Sequence, residues 1–211
     1  MDWTTPTLEG DLVRLEPLSP PHEDGLWEAS RDPRTWQWLS VEQPQTPAEM
    51  RAYLDAAYAN QADGTELPLV TVRRGDGRVV GSTRFYGLEA DVPKLSIGYT
   101  WYTPDVQRTG VNTEAKLLLL THAFETLGCI SVVFETSWFN HRSRTAIARL
   151  GAKQDGVLRN HKRHTDGSPR DTVVFSIIDG EWPALRAEYE RWLSPDNFDD
   201  LGQQKSKLAL R

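Results

Sequence analysis

One stretch decides the fold of this 211-residue chain, and it reads Pro104-Asp105-Val106-Gln107-Arg108-Thr109-Gly110-Val111-Asn112-Thr113-Glu114-Ala115. It predicts a loop between a strand and a helix, because strand-like residues precede it and apolar residues follow it at helical spacing. The first turn of a helix offers unpaired N–H groups and a partial positive charge, which attract phosphate. Gly110 allows close approach of the backbone to a ligand, and Thr113 adds a hydroxyl. From the residues alone, an anion site and an ordinary capped helix both stay open.

The elements on either side of this stretch follow the order β-α-α-β-β-β-α-β-α-β-β-α. Residues 67–74 and 78–86, for example, alternate like strands around the turn Gly75-Asp76-Gly77. Such an order predicts an α/β (α+β) protein with a mixed sheet and helices on its faces. No change of composition marks a linker, so a single domain over residues 1–193 is expected. Residues 194–211 are polar and are expected to form a flexible tail.

Composition restricts the class of protein. Hydrophobic residues make up 38% and glycines number 15, which is typical of a globular chain. No stretch approaches the roughly 18 apolar residues of a membrane span, and Met1-Asp2-Trp3-Thr4 lacks a secretory signal pattern, so a cytoplasmic protein without a membrane partner is expected. The net charge of −6 disfavours nucleic acid as a partner. A single cysteine, Cys129, and five histidines without ligand spacing predict no disulfide and no metal site.

Three motifs in order resemble the GNAT superfamily of N-acetyltransferases, and within it the RimJ/RimL type. The first is the stretch from Gln107 to Asn112, followed by Thr113-Glu114-Ala115. The second is Asn140-His141-Arg142-Ser143 with Ala146 and Arg149-Leu150-Gly151-Ala152. The third begins at Asp155-Gly156 and continues to Glu181-Trp182. The resemblance spans roughly residues 8–185, nearly the whole predicted domain.

This resemblance implies the GNAT fold, a mostly antiparallel mixed sheet of about seven strands with helices on both faces, and acetyl-CoA as the donor. Backbone amides after Gln107 would hold the CoA pyrophosphate, the preceding strand would pair with the pantetheine arm, and the start of the next helix would contact the cofactor. The cofactor residues so implied are Trp101, Tyr102, Thr103, Gln107, Arg108, Thr109, Gly110, Val111, Asn112, Thr113, Asn140 and Ser143. Asn112 departs from the pattern, because the family has a small residue there.

Catalytic candidates follow from the needs of acyl transfer from a thioester. Many family members carry a Tyr seven residues after the motif Asn to protonate the departing thiolate, and this chain has Ile147 there. Ser143 is the proposed proton donor instead, and its alternative role is a first-turn hydroxyl that bonds the helix backbone. Glu135 is the candidate base, because a carboxylate on an otherwise apolar strand has a pKa that burial can raise. Its alternative is a place on a solvated face.

The acceptor is expected to be a primary amine, held by an aromatic group that includes Trp36, Trp38 and Tyr86. The favoured acceptor is the N-terminal α-amine of a protein or peptide, because its ordinary pKa near 7.7–8.0 leaves it partly neutral without a strong base. Alternatives are an acetyltransferase for a small amine such as an amino acid, polyamine or antibiotic, and a non-catalytic acyl-CoA-binding sensor. By analogy with the family, a homodimer is also an expectation.

Overall fold

The computed structural model describes residues 3–4, 6–36, 39, 41–200 and 205–206, and the predicted acceptor residue Trp38 lies outside these ranges. One sheet of eight strands runs through the molecule in the order β1-β2-β3-β4-β5-β6-β8-β7. β5 and β6 pair in parallel, and every other neighbouring pair is antiparallel. The strands are β1 Leu8–Glu9, β2 Val13–Pro17, β3 Glu66–Arg73, β4 Val79–Glu89, β5 Lys94–Tyr102, β6 Ser131–Ser137, β7 Lys153–Arg163 and β8 Pro169–Ile178.

In the described part of the chain, five α-helices cover the two faces of this sheet. They are α1 Glu23–Ala29, α2 Pro47–Ala62, α3 Val111–Thr121, α4 His141–Arg149 and α5 Trp182–Leu193. Helices α1 and α2 pack on one face in a core that contains Leu26, Leu54 and Trp101. Helices α3, α4 and α5 pack on the other face in the larger core. No helix among the described residues is both long enough and apolar enough to cross a membrane.

The predicted GNAT fold, with a mixed and mostly antiparallel sheet and helices on both faces, is confirmed, with eight strands in place of about seven. The extra strand arises because the segment expected to be one strand over residues 8–16 is broken after Glu9. The chain turns there, and the Gly10 N–H donates to the Val13 carbonyl oxygen at 2.9 Å. Glu114 of α3 accepts hydrogen bonds from the amides of this turn, so a contact distant in sequence divides the strand.

The two central strands that pair in parallel separate before they end. Residues 94–96 of β5 pair with residues 131–133 of β6, and no pairing continues beyond them. β5 also carries a bulge against β4, because Arg84 pairs with Gly98 and Ser82 with Trp101, which leaves one more residue on β5 than on β4. Tyr99 in this bulge has a φ of +51°, in the left-handed region. The result is a wedge-shaped opening between β5 and β6 with the bulge of β5 on one side.

Candidate functional site

The wedge between β5 and β6 presents unpaired backbone along β5. The N–H of Thr103 donates to the Val80 carbonyl oxygen on β4 at 2.8 Å. Because the backbone groups of successive strand residues point to opposite sides, those of Tyr102 point away from β4 and into the wedge. Gln107 confirms this direction, since its Nε2 donates to the Tyr102 carbonyl oxygen at 3.2 Å. An extended ligand in the wedge could therefore pair with β5 as an additional strand does.

The loop after β5 leads into the start of α3, where Arg108 is exposed, Asn112 is half-buried and Thr113 is buried. Arg108 has a φ of +67°, which a residue with a side chain rarely adopts and which marks a loop held in an unfavourable conformation. Thr109 Oγ1 donates to the Val106 carbonyl oxygen at 2.6 Å and so fixes the loop internally. Asn112 and Thr113 follow in the first helical turn, where N–H groups have no carbonyl partner within the helix. Thr113 is fully buried, and its hydroxyl has no hydrogen-bond partner among the described residues.

The first and second sequence motifs meet at the mouth of the wedge. Arg142, near the start of α4, donates a short hydrogen bond to Gln107 Oε1. Asn140 caps α4, because its Oδ1 accepts from the Ser143 N–H at 2.9 Å. This cap fixes the end of the helix that faces the loop, and it leaves the amide nitrogen of Asn140 as the group that could contact a ligand. Two helix starts, on α3 and α4, thus lie on either side of one opening.

These residues fit a phosphate-bearing donor such as CoA. Helix-start amides without a partner in the helix and the guanidinium groups of Arg108 and Arg142 are the kinds of donor that hold phosphate oxygens. The side chains of Trp101, Tyr102 and Thr103 are buried in the protein, so these three predicted cofactor residues could offer a ligand only their backbone. The predicted cofactor contacts themselves remain predictions.

Gly110 has a different neighbourhood from the one expected from the sequence. A Cβ at Gly110 would lie 2.6 Å from Leu12 Cδ1 and 2.9 Å from Phe198 Cζ. The missing side chain therefore admits Leu12 of the β1–β2 turn and Phe198, which follows α5 by way of a turn at Pro195–Asn197. The close approach at Gly110 in this structure is to other parts of the protein, and it seats the loop against the domain.

Of the two predicted catalytic residues, Ser143 lies beside the wedge in the first turn of α4 and is partly exposed. Ile147, one turn further along, is buried in the larger core, so the position where relatives carry Tyr is apolar here. Glu135 lies on β6, on the face opposite the larger core, and its Oε2 accepts from Lys162 Nζ of β7 at 2.6 Å. The Glu135 carboxylate is thus held in an ion pair, and its role as base stays a prediction.

An aromatic pair covers the bulge on this same face. The rings of Tyr86 and Tyr99 meet edge to face with centroids 5.4 Å apart. Gly98 makes room for them, because a Cβ there would lie 2.7 Å from Tyr86 Cε1. Burial raises the pKa of Tyr86, and the nearby Glu135 charge raises it further, so its hydroxyl stays protonated and can donate. Tyr99 is 40% exposed and offers a surface to an acceptor.

Trp36, the other described residue predicted for the acceptor, is only 4% exposed. Its ring packs against Trp101 with centroids 5.6 Å apart, and its Nε1 donates to the Ser30 carbonyl oxygen at 2.7 Å. Trp36 therefore packs against β5, the strand that carries the bulge, on the face of the sheet that α1 and α2 cover. Its contact with an acceptor stays a prediction.

Two features of the site escaped the sequence reasoning. Arg84 of β4 forms a buried ion pair with Glu66 of β3 at 2.6 Å, and its guanidinium lies over the Tyr99 ring at 4.6 Å. Lys116 of α3 is buried, and its Nζ donates to Thr100 Oγ1 at 3.0 Å beneath the bulge. An Arg or Lys within an apolar run was the available signal, but helical or strand spacing alone cannot show that such a side chain is buried. Within the described part of the chain, no group of three or more His, Cys, Asp or Glu side chains could hold a metal ion.

Comparisons with known proteins agree with this geometry. A family model described as an acetyltransferase (GNAT) domain matches residues 13–153. A GCN5-related N-acetyltransferase from Brucella melitensis is similar in structure, with a TM-score of 0.92 and 34% identity over 97% of this chain and 93% of that one. Mycobacterium smegmatis RimJ, solved in complex with CoA-disulfide, shares the fold at a TM-score of 0.74 and 20% identity, over 88% of this chain and 93% of that one.

One curated relative also matches. Bacillus subtilis YdaF, whose name provisionally assigns it as a ribosomal N-acetyltransferase, is 30% identical over 107 residues. That match covers 51% of this chain and 57% of YdaF, a little over half the length of the relative.

Proposed function

The chain belongs to the GNAT acetyltransferase family, and we propose that it transfers an acetyl group from acetyl-CoA to a primary amine, the N-terminal α-amine of a protein or peptide. One observation carries this proposal: the Gln107–Arg142 contact joins the loop before α3 to the start of α4, at the mouth of a wedge whose inner edge is unpaired strand backbone. Phosphate groups fit the mouth and an extended amide-bearing arm fits the strand edge, and CoA has both.

The residues that would hold the donor follow from the site. The first-turn amides of Asn112 and Thr113 and the Arg108 side chain would bind the pyrophosphate. The N–H of Tyr102, turned into the wedge, would pair with the pantetheine arm, and Asn140 would contact it from the start of α4. Acetyl-CoA supplies an acetyl group activated as a thioester. An N–H of β5 near the bulge would stabilise the negative charge that develops on the acetyl oxygen during attack by the amine.

The acceptor face supports an α-amine over a lysine amine. Glu135 is the described carboxylate on β6 that faces the acceptor side, and Lys162 already neutralises it. A lysine side chain, with an ordinary pKa near 10.4, needs a base to become nucleophilic, whereas an α-amine near 7.7–8.0 is partly neutral at working pH. The exposed Tyr99 and the open face beside it also suit a chain end. YdaF, a relative named for ribosomal substrates, supports the same choice.

The test is a thiol-release assay with acetyl-CoA and a matched panel of acceptors. The panel holds peptides with a free N-terminus, the same peptides with a blocked N-terminus and one free lysine, and single amino acids, polyamines and amine antibiotics. We expect CoA release with the free N-termini and none with the blocked ones. Release with a small amine alone would replace the acceptor class. CoA binding without release for any acceptor would favour a sensor that has lost turnover.

A further inference from the structure

A buried lysine lies beneath the bulge of β5 and has no part in the activity derived above. Lys116 is the sixth residue of α3, so its Cα lies about 7.5 Å along the helix axis from Val111. Its side chain is only slightly exposed, and its Nζ donates to Thr100 Oγ1 at 3.0 Å. Buried lysines are rare without a carboxylate partner. Here burial alone lowers the pKa of the amine to about 7.

The lysine belongs to a chain of polar groups under the bulge. Thr100 Oγ1 lies 2.8 Å from Thr83 Oγ1, and Thr83 Oγ1 lies 3.4 Å from the Gly98 carbonyl oxygen. These groups face the larger core on the side of the sheet where α3 packs. The amine therefore sits under the strand that would carry the reacting end of the donor.

Charged and titratable groups on the surrounding elements have other partners. On α3, Glu114 accepts from the amides of the β1–β2 turn. On β5, burial raises the pKa of Tyr102 and keeps its hydroxyl protonated. After α3, burial lowers the pKa of His122 and keeps its ring neutral. On α4, Arg142, Arg144 and Arg149 contact Gln107, Trp138 and Trp192. None of these groups neutralises Lys116.

We propose that Lys116, rather than the Ser143 hydroxyl expected from the sequence, is the proton donor to the departing thiolate. This inference rests on the proposed function, because it needs a thioester donor in the wedge. The amine nitrogen of the acceptor attacks the acetyl carbon, the C–S bond breaks, and its electron pair goes to sulfur. The Lys116 ammonium gives a proton to that sulfur and produces the CoA thiol. The acetylated nitrogen loses its extra proton to water, and Lys116 takes one back from water.

The first measurement is the pH dependence of kcat for the wild-type protein at saturating acetyl-CoA and acceptor. A proton donor must carry its proton, so kcat should fall, about tenfold per pH unit, as pH rises above the pKa of the Lys116 amine, which is about 7. A kcat that does not fall between pH 7 and pH 9 overturns the proposal without any variant.

The second measurement compares Lys116→Met, which keeps the length of the side chain, with Lys153→Met, which removes an exposed lysine on β7. Lys116→Met should lose the fall of kcat with rising pH and lower kcat at neutral pH at least tenfold, with KM for acetyl-CoA within about twofold. Lys153→Met should change neither. A folded Lys116→Met protein with unchanged kcat overturns the role of Lys116 and leaves the proposed function standing. A wild-type protein that binds no CoA would instead remove both.

Discussion

Replacement of Glu114, which lies in the first turn of α3, by alanine should destabilise the protein strongly. Glu114 is 6% exposed and receives three backbone N–H groups: Asp11 to Oε1 at 2.9 Å, Leu12 to Oε2 at 2.7 Å and Val13 to Oε2 at 2.8 Å. Hydrogen bonds to a charged group contribute about 1.5–3 kcal/mol each, so three give an upper limit of about 4.5–9 kcal/mol.

Water reduces that limit after the substitution. The residues Asp11 and Leu12 are exposed, so water can reach their amides once the carboxylate is gone, whereas Val13 is fully buried. We therefore expect Glu114→Ala to lower the free energy of unfolding by about 3–5 kcal/mol, a large part of the 5–15 kcal/mol typical of a domain. Glu114→Gln should cost about 2 kcal/mol, because one amide oxygen can still accept from Leu12 and Val13 while the NH2 group opposes the Asp11 N–H.

The assay is urea unfolding followed by tryptophan fluorescence, with Glu190→Ala as the matched control. Glu190 lies on α5 in an exposed ion pair with Arg186 at 2.9 Å, and its loss should change stability by less than about 1 kcal/mol. Because the β1–β2 turn also places Leu12 against Gly110, the Glu114 variants should bind CoA more weakly in proportion to their instability. A Glu114→Ala protein whose free energy of unfolding lies within about 1 kcal/mol of the wild-type value would refute the stabilising role of these three hydrogen bonds.

Two further predictions concern the acceptor side. Arg84→Met should lower the free energy of unfolding in urea by about 3–5 kcal/mol, because it leaves the Glu66 charge buried without its partner. The double variant with Glu66→Met should recover most of that loss. Equal losses for the single and double variants would contradict a buried ion pair. Gly98→Ala should raise KM for the acceptor several-fold with little change in KM for acetyl-CoA. The reason is that the added methyl group displaces the Tyr86 ring, which packs on Tyr99. An unchanged KM for the acceptor would show that this aromatic pair does not contact the acceptor.

Much of the fold was open to prediction because it depends on local patterns. Thr46 followed by Pro47 and Glu49 predicted the start of α2, and the structure has Thr46 Oγ1 accepting from the Glu49 N–H at 3.2 Å. The turn Gly75-Asp76-Gly77 predicted the β3–β4 hairpin. The family was evident from three motifs in order. In each case a few neighbouring residues carry the whole signal, because caps and turns are made within one segment.

The sequence by itself determined that a loop containing Gly110 leads from a strand into a helix, that position 147 carries Ile and no Tyr acid, and that helices cover a mixed sheet. Only the tertiary structure decided that Gln107 contacts Arg142, that Glu114 divides the first strand, and that Lys116 lies beneath a bulge with no carboxylate partner among the described residues. These contacts join residues 16 to 103 positions apart. The energies of these contacts depend on burial and on partners from other elements, and the periodicity of residues along the chain predicts neither.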